Sequence, residues 1–282
     1  MPSAFAGFAV DTLSYAHRHS LEGTIDLLSA AGCCAVQLSL HPGFLWPSEI
    51  AAPARTELRK RIEACDVRVV SVNLPGVEIN VASVSPEMRR YSIDLLRQNI
   101  ELAADLGAAA IVMTPGRQHP LVPLPKAALL AHFYAALDAL VPLAEARNVM
   151  LCIENAPSSF LPAAGSLISA INDYGSNDVG ICYDMPNGHF IKEPIDEALR
   201  TVQSRLKLLH VADTGQEAHR HAAVGQGSIA FADLYPVLAE IGHAELPVLE
   251  VISSNGEADM IASAENLLRA GWGDGPRTVA VA

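Results

Sequence analysis

Cationic residues are scarce in this 282-residue chain: 19 Lys and Arg stand against 31 Asp and Glu, a formal net charge of −12. Nucleic-acid affinity rests largely on neutralising phosphates, so the balance argues against a broad grip on DNA or RNA and leaves room only for a local basic pocket. Cysteine is sparse too. Cys33, Cys34, Cys65, Cys152 and Cys182 form no C-x-x-C pair, are odd in number, and several lie inside apolar runs. They read as free thiols in a reducing compartment. No uncharged apolar stretch reaches the roughly 18 residues a bilayer-spanning helix needs. The first basic residue is Arg18, with no long apolar segment before it, so no secretory signal is expected. These absences predict a soluble cytoplasmic protein with neither membrane nor nucleic acid among its partners. The sequence leaves its oligomeric state open, a homo-oligomer included.

What is present is alternation. Short apolar runs rich in β-branched residues recur between longer amphipathic ones, the sign of βα units and a parallel sheet. Strands are predicted at Phe5–Val10, Ala35–Leu40, Val67–Val72, Ala109–Met113, Met150–Ile153, Val179–Tyr183, Leu206–Leu209 and Leu246–Val251. Helices are predicted at Leu21–Ala31, Pro53–Cys65, from Ser85 to Leu106-Gly107, and at Lys126–Arg147, Ala163–Tyr174, Pro194–Ser204, Phe231–Ile241 and Glu257–Ala270. Eight of each in strict alternation predict an α/β fold of the (β/α)8 TIM barrel type, a single domain over residues 1–271 followed by a C-terminal tail, 272–282. The rival, a doubly wound open sheet, usually carries a glycine-rich phosphate turn after its first strand. Val10-Asp11-Thr12-Leu13-Ser14 is not one.

Four polar residues stand at the carboxyl ends of the last four predicted strands: Glu154, Asp184, His210 and Glu250. In a barrel those ends face the active site. Taken singly, each glutamate could be a buried acid with a local partner, Asp184 a cap on the next turn, and His210 a satisfied core histidine. Three carboxylates gathered at one mouth, however, repel and are costly to desolvate unless a cation offsets them. One divalent metal ion is the simplest such cation. Two residues before each ligand come Cys152, Cys182, Leu208 and Val248, which strand alternation turns inward as an apolar layer beneath it. Three oxygen-bearing ligands and one imidazole favour Mn2+, Mg2+ or Co2+, with Zn2+ also compatible. Mn2+ is the expected ion.

The motifs Ile153-Glu154-Asn155, Cys182-Tyr183-Asp184, Leu209-His210-Val211-Ala212-Asp213 and Leu249-Glu250 resemble those of the xylose isomerase-like TIM barrel superfamily, the sugar phosphate isomerase/epimerase family. The segment from Arg220 to Ile229 is similar to that family's strand-7 loop. The resemblance covers nearly the whole chain. It implies a metal held at the four positions, with Glu154 and Glu250 moving protons on either side of a substrate. Departures are visible. Asn187 stands where many members have a histidine, with His189 two residues on. Phe160 stands where ketohexose epimerases have a second glutamate. Endonuclease IV, a DNA-repair member, shares His221-x-x-Val224-Gly225-x-Gly227, but Thr114 and Asn187 replace histidines of its three-zinc cluster.

The function expected is a metal-dependent isomerase or epimerase of carbohydrate metabolism. It would act on a keto-sugar or related polyol by proton abstraction beside a metal-bound carbonyl, through an enediolate. A dehydratase of the inosose or 3-dehydroshikimate type is the alternative, so a sugar, a cyclitol or a keto-acid is the expected small-molecule substrate. A nuclease-like enzyme and a binding barrel without catalysis stand behind these. Arg220, His221, Asn187, His189 and Asn155 are the candidate substrate-binding residues. Gly225-x-Gly227 and Ser253-Ser254-Asn255-Gly256 follow strands 7 and 8, where barrels often cradle phosphate, but both are short and commonplace. Phe44 and Trp46, after strand 2, could wall the substrate or plug a neighbouring helix.

Overall fold

A computed structural model of the chain describes residues 5–75 and 78–273. Its strands are β1 (Ala9–Asp11), β2 (Ala35–Ser39), β3 (Arg68–Asn73), β4 (Ala110–Met113), β5 (Met150–Glu154), β6 (Val179–Asp184), β7 (Leu206–Val211) and β8 (Val248–Leu249). All neighbours are parallel, and β1 pairs with β8 through Ala9–Val248 and Val10–Leu249, closing the barrel in sequence order. The helices are α1 (Leu21–Ala30), α2 (Ala52–Ala64), α3 (Pro86–Asp105), α4 (Lys126–Ala146), α5 (Ala164–Tyr174), α6 (Met185–Phe190), α7 (Ile195–Val202), α8 (Phe231–Glu240) and α9 (Gly256–Arg269). The expected fold is therefore the observed one.

Local chemistry explains the elements. Ser85 caps α3 by accepting from the Met88 amide, with Pro86 preset for the first turn. Helix α7 places Ile195, Ala198, Leu199 and Val202 on one buried face, with Asp196 and Glu197 in its first turn and Arg200 in its last. Helix α4 is long and apolar enough, by length and composition, to cross a bilayer. Here it lies on the barrel, with Phe133, Ala136, Leu137, Leu140 and Ala144 fully buried.

Several sequence expectations need correction. The first strand starts at Ala9, not Phe5, because Gly7 turns the chain at φ +92°. It also runs one residue further, so Asp11 is a strand residue. Strand 8 is shorter than expected: Pro247 has no N–H for the ladder, and only Val248–Leu249 remain. Helix α6 was not expected at all. Asp184 caps it through the Asn187 amide at 2.5 Å, and Pro186 occupies its first turn. Trp272, taken as the start of the tail, is buried against α8 and donates its indole N–H to the Phe231 carbonyl at 2.8 Å. The remainder of that tail, 274–282, lies outside the described residues.

The main core fills the space between sheet and helices. Inside the barrel, Ala110, Val112, Cys152, Cys182 and Leu208 form one apolar group, and Ala9, Ala35 and Val248 another. The four residues predicted to lie beneath the ligands are all in these layers. Above them the lumen turns polar on every side: Glu154, Asp184 and His210 on β5–β7 face buried Asp11, Gln37, Ser39, Ser71 and Asn73 on β1–β3.

Candidate metal centre

Strands β5, β6 and β7 end on Glu154, Asp184 and just past His210, and Glu250 follows β8 directly. One ligand atom from each of the four lies within 4.8 Å of every other. His210 Nδ1 stands 2.9 Å from Glu250 Oε2, 3.2 Å from Glu154 Oε1 and 3.7 Å from Asp184 Oδ2. Ligands about 2.1 Å from a shared ion stand about 3.0–3.4 Å apart at octahedral or tetrahedral angles. The spacing and donor chemistry thus fit one divalent ion, with Glu154, Asp184, His210 and Glu250 as the residues that could hold it. Among the described residues no second group of this kind occurs.

The electrostatics show what such a cluster does without a cation. Burial, helped by Glu250 and Asp184 and opposed by His210, pushes the Glu154 carboxyl up to about 7. Burial would lower His210, but Cys182, Glu250 and Asp184 outweigh it and hold the imidazole charged well above its ordinary range. Burial would likewise raise Glu250, yet His210 and His221 keep it well below the usual carboxylate range. A metal therefore has to displace protons, from His210 Nδ1 and, below about pH 7, from Glu154. Affinity for Mn2+ is expected to rise between pH 6 and 8, by about tenfold per pH unit for each proton released. Calorimetry in buffers of different ionisation enthalpy should register at least one released proton. A pH-independent affinity with no proton release would contradict ligation through His210.

The surrounding residues divide by task. Asp184 uses Oδ1 to cap α6 and Oδ2 to accept from His221 Nε2 at 3.0 Å, so its capping and site roles coexist. His221 also stands 3.4 Å from Glu250 Oε2. Asn155, expected to touch substrate, is fully buried; its amide donates to the Asp184 carbonyl and accepts from the Asp184 N–H, fastening the end of β6. Asn187 donates to the Asn155 carbonyl and meets His219 Nε2 at 2.7 Å. His189 meets Ser228 Oγ at 2.8 Å, on the rim of the strand-7 loop. Arg220 is exposed on that loop, its backbone N–H bonded to Thr214 Oγ1.

The loop itself is built around Asp213, whose carboxylate accepts from the amides of Thr214, Gly225, Gly227 and Ile229. A Cβ at Gly227 would collide with that carboxylate and with the Thr214 backbone, so the close approach requires glycine. Phe160 turns its ring onto Phe133 of α4. Phe44 and Trp46 line an outer groove between α1 and α2.

Four participants escaped sequence reasoning. Asn73 ends β3 and donates its amide to Glu250 Oε1 at 2.9 Å. His219 packs edge-on against His221 and at a tilt against Phe190. From the opposite wall Gln37 meets His210 Nε2 at 3.0 Å and donates its amide to Asp11. The available signal was the polar residues at odd positions of Gln37-Leu38-Ser39 and Ser71-Val72-Asn73, since polar residues alternating at the end of a buried strand point into the lumen.

The profile of the xylose isomerase-like TIM barrel family matches residues 25–270. An uncharacterized protein of Methanocaldococcus jannaschii is 28% identical over 66% of this chain and 64% of its own length, so the match spans under two thirds of that relative. An L-ribulose 3-epimerase of Mesorhizobium japonicum is 24% identical over 90% of this chain and 83% of its own. A probable endonuclease 4 of Mycobacterium marinum is 27% identical over 84% and 93%. Among solved structures, a D-tagatose 3-epimerase-like protein superposes with a TM-score of 0.81 at 21% identity, covering 94% of this chain and 96% of that one. That last likeness concerns the fold.

Proposed function

The chain belongs to the xylose isomerase-like TIM barrel family, and on that premise we propose that it is a divalent-metal-dependent isomerase or epimerase of a keto-sugar or related polyol. One observation carries the reading. Of the four candidate ligands, Asp184 and His210 are fully enclosed, whereas the side chains of Glu154 and Glu250 keep 13% and 7% exposure toward the mouth. Two carboxylates that both hold an ion and meet what enters are placed to handle a substrate proton. An ion in this group, Mn2+ in our reading, supplies Lewis-acid polarisation of a carbonyl and so acidifies the adjacent C–H.

The chain's own residues then do the rest. One glutamate takes the proton and the other returns one, Glu154 from the end of β5 and Glu250 from just past β8. Asn73 holds Glu250 in place from β3. His219, His221 and Arg220 line the strand-7 side, where they would receive hydroxyls or a carboxylate. Return of the proton to the opposite face gives an epimer, and return to the neighbouring carbon gives an isomer. The likeness to an L-ribulose 3-epimerase supports this class. An unphosphorylated substrate is proposed, because the Gly225 and Gly227 amides that could cradle phosphate are already committed to Asp213.

A dehydratase is the second reading, since loss of a β-hydroxyl can follow the same proton abstraction. It is favoured by Phe160, which packs on Phe133 and leaves no second glutamate at that position. The nuclease reading is not adopted, despite relatives of that name. Asn187 stands where a cluster histidine would be, and its amide is occupied by Asn155 and His219.

The test is turnover of a panel of keto-sugars, inososes and dehydroshikimate in D2O with Mn2+. The proposal expects product with one deuterium on the carbon beside the carbonyl. Loss of water from the substrate would select the dehydratase. Turnover without deuterium uptake would contradict proton abstraction.

A further inference from the structure

Across the lumen from the three carboxylates runs a chain of buried polar groups that the reaction does not use directly. Asp11, on β1, accepts three hydrogen bonds: from the Leu13 amide on Oδ1 at 2.8 Å, and from Gln37 Nε2 at 2.9 Å and Ser39 Oγ at 2.7 Å on Oδ2. Three donors and no acceptor suit an ionised carboxylate, which can only accept. Gln37, on β2, therefore has to turn its NH2 toward Asp11. Its carbonyl oxygen is left facing the other way, where it meets Ser71 Oγ at 2.8 Å and His210 Nε2 at 3.0 Å. Rotating this amide by half a turn would set its oxygen against the Asp11 carboxylate and its NH2 against His210.

A carbonyl oxygen opposite Nε2 demands a proton on Nε2. When a metal displaces one proton from this imidazole, the proton on Nε2 stays and Nδ1 is bared, and Nδ1 is the nitrogen that faces Glu154, Asp184 and Glu250. Asp11 and Gln37 are fully buried or nearly so, and both come from rigid strands. We infer that Asp11, acting through Gln37, is a positioning residue that fixes the tautomer and ring orientation of His210, so that Nδ1 is the nitrogen presented to a metal ion. Outer partners of ligating histidines commonly act this way. Here the partner is two side chains long, and its charged end lies two strands from the amide's target. The inference rests on the metal-centre reading, and its test separates the two.

Asp11→Asn keeps shape and removes the charge, so the Gln37 amide loses its reason to choose one orientation. Calorimetric titration of metal-free protein with Mn2+ is expected to show about 10–100-fold weaker binding than wild type, with circular dichroism unchanged. In the Zn2+-loaded, 15N-histidine-labelled protein, NMR should report one His210 tautomer in wild type and a mixture in Asp11→Asn. Ser39→Ala, which removes a donor to Asp11 but leaves Gln37 oriented, should bind Mn2+ within about twofold of wild type, an upper bound on a remote effect. If Asp11→Asn does not fold, Gln37→Met decides the matter by the same titration, since it leaves Nε2 without an acceptor. Wild-type affinity and a single His210 tautomer in Asp11→Asn, or wild-type affinity in Gln37→Met, would overturn the relay. Failure of the wild type itself to bind Mn2+, Zn2+ or Co2+ would instead overturn the metal centre.

Discussion

Changing Glu154 or Glu250 to glutamine is expected to lower turnover by about 10²–10⁴-fold, the usual worth of a positioned acid or base. Glutamine keeps the shape and one carbonyl donor, so the fold should persist and metal should still bind, more weakly. The two variants should differ in detail. Glu250 is held by Asn73 from one side and approached by His210 and His221 from the other. A glutamine there would set its NH2 against one of three donors, so Glu250→Gln should lose more metal affinity than Glu154→Gln. Glu154 has His210 as its one side-chain hydrogen-bond partner among those described and keeps the larger exposure. Its replacement should show chiefly in kcat. Measuring kcat, KM and the Mn2+ Kd for both variants distinguishes these effects. Unaltered kcat in either variant at saturating metal would remove that glutamate from the proton-moving pair.

Asp184→Ala is expected to abolish metal binding, because this residue joins three tasks in one carboxylate. Its Oδ2 is a candidate ligand and the partner of His221, and its Oδ1 caps α6. Loss of the cap alone costs about 1 kcal/mol. Removing this buried carboxylate also takes away a partner that helps hold His210 and His221 charged, so the metal-free variant should be less stable than metal-free wild type by more than the cap alone. The large difference should appear on adding metal. An ion at 100 times its Kd stabilises the native state by about 2.7 kcal/mol, a rise in Tm of several degrees in a chain of this size. Wild type should show that rise with Mn2+, and Asp184→Ala should show none. Asp184→Asn separates the tasks: it keeps an oxygen for the cap and loses the charge, so it should keep the cap's share of metal-free stability while binding Mn2+ poorly. An equal metal-induced rise in all three proteins would mean that the ion binds elsewhere.

The legibility of this molecule in its sequence follows a physical divide. Strands buried on both faces, such as Val179–Asp184 and Met150–Glu154, announce themselves as short aliphatic runs, and the residue where the run turns polar is the one at the barrel mouth. Glu154, Asp184, His210 and Glu250 were legible for that reason, as were the small apolar residues beneath them. The opposite wall was not. Its polar residues, Gln37, Ser39, Ser71 and Asn73, lie inside the strands and not at a change of composition, and they are satisfied by one another across strands that are distant in sequence. Asp11 falls just outside the strand expected at Phe5–Val10, whose end lies one residue further on. His219 sits in a loop whose path is set by the Asp213 carboxylate, a long-range cradle that no local pattern reveals.

Four side chains from the ends of β5 to β8 are assigned to one mononuclear metal centre. That assignment is tested most directly by the metal content of the wild-type protein, purified without chelator and measured by plasma mass spectrometry against protein concentration. About one divalent ion per chain is expected, restored to one by Mn2+ after stripping. A stoichiometry near three, or no ion bound even with Mn2+ supplied, would contradict it.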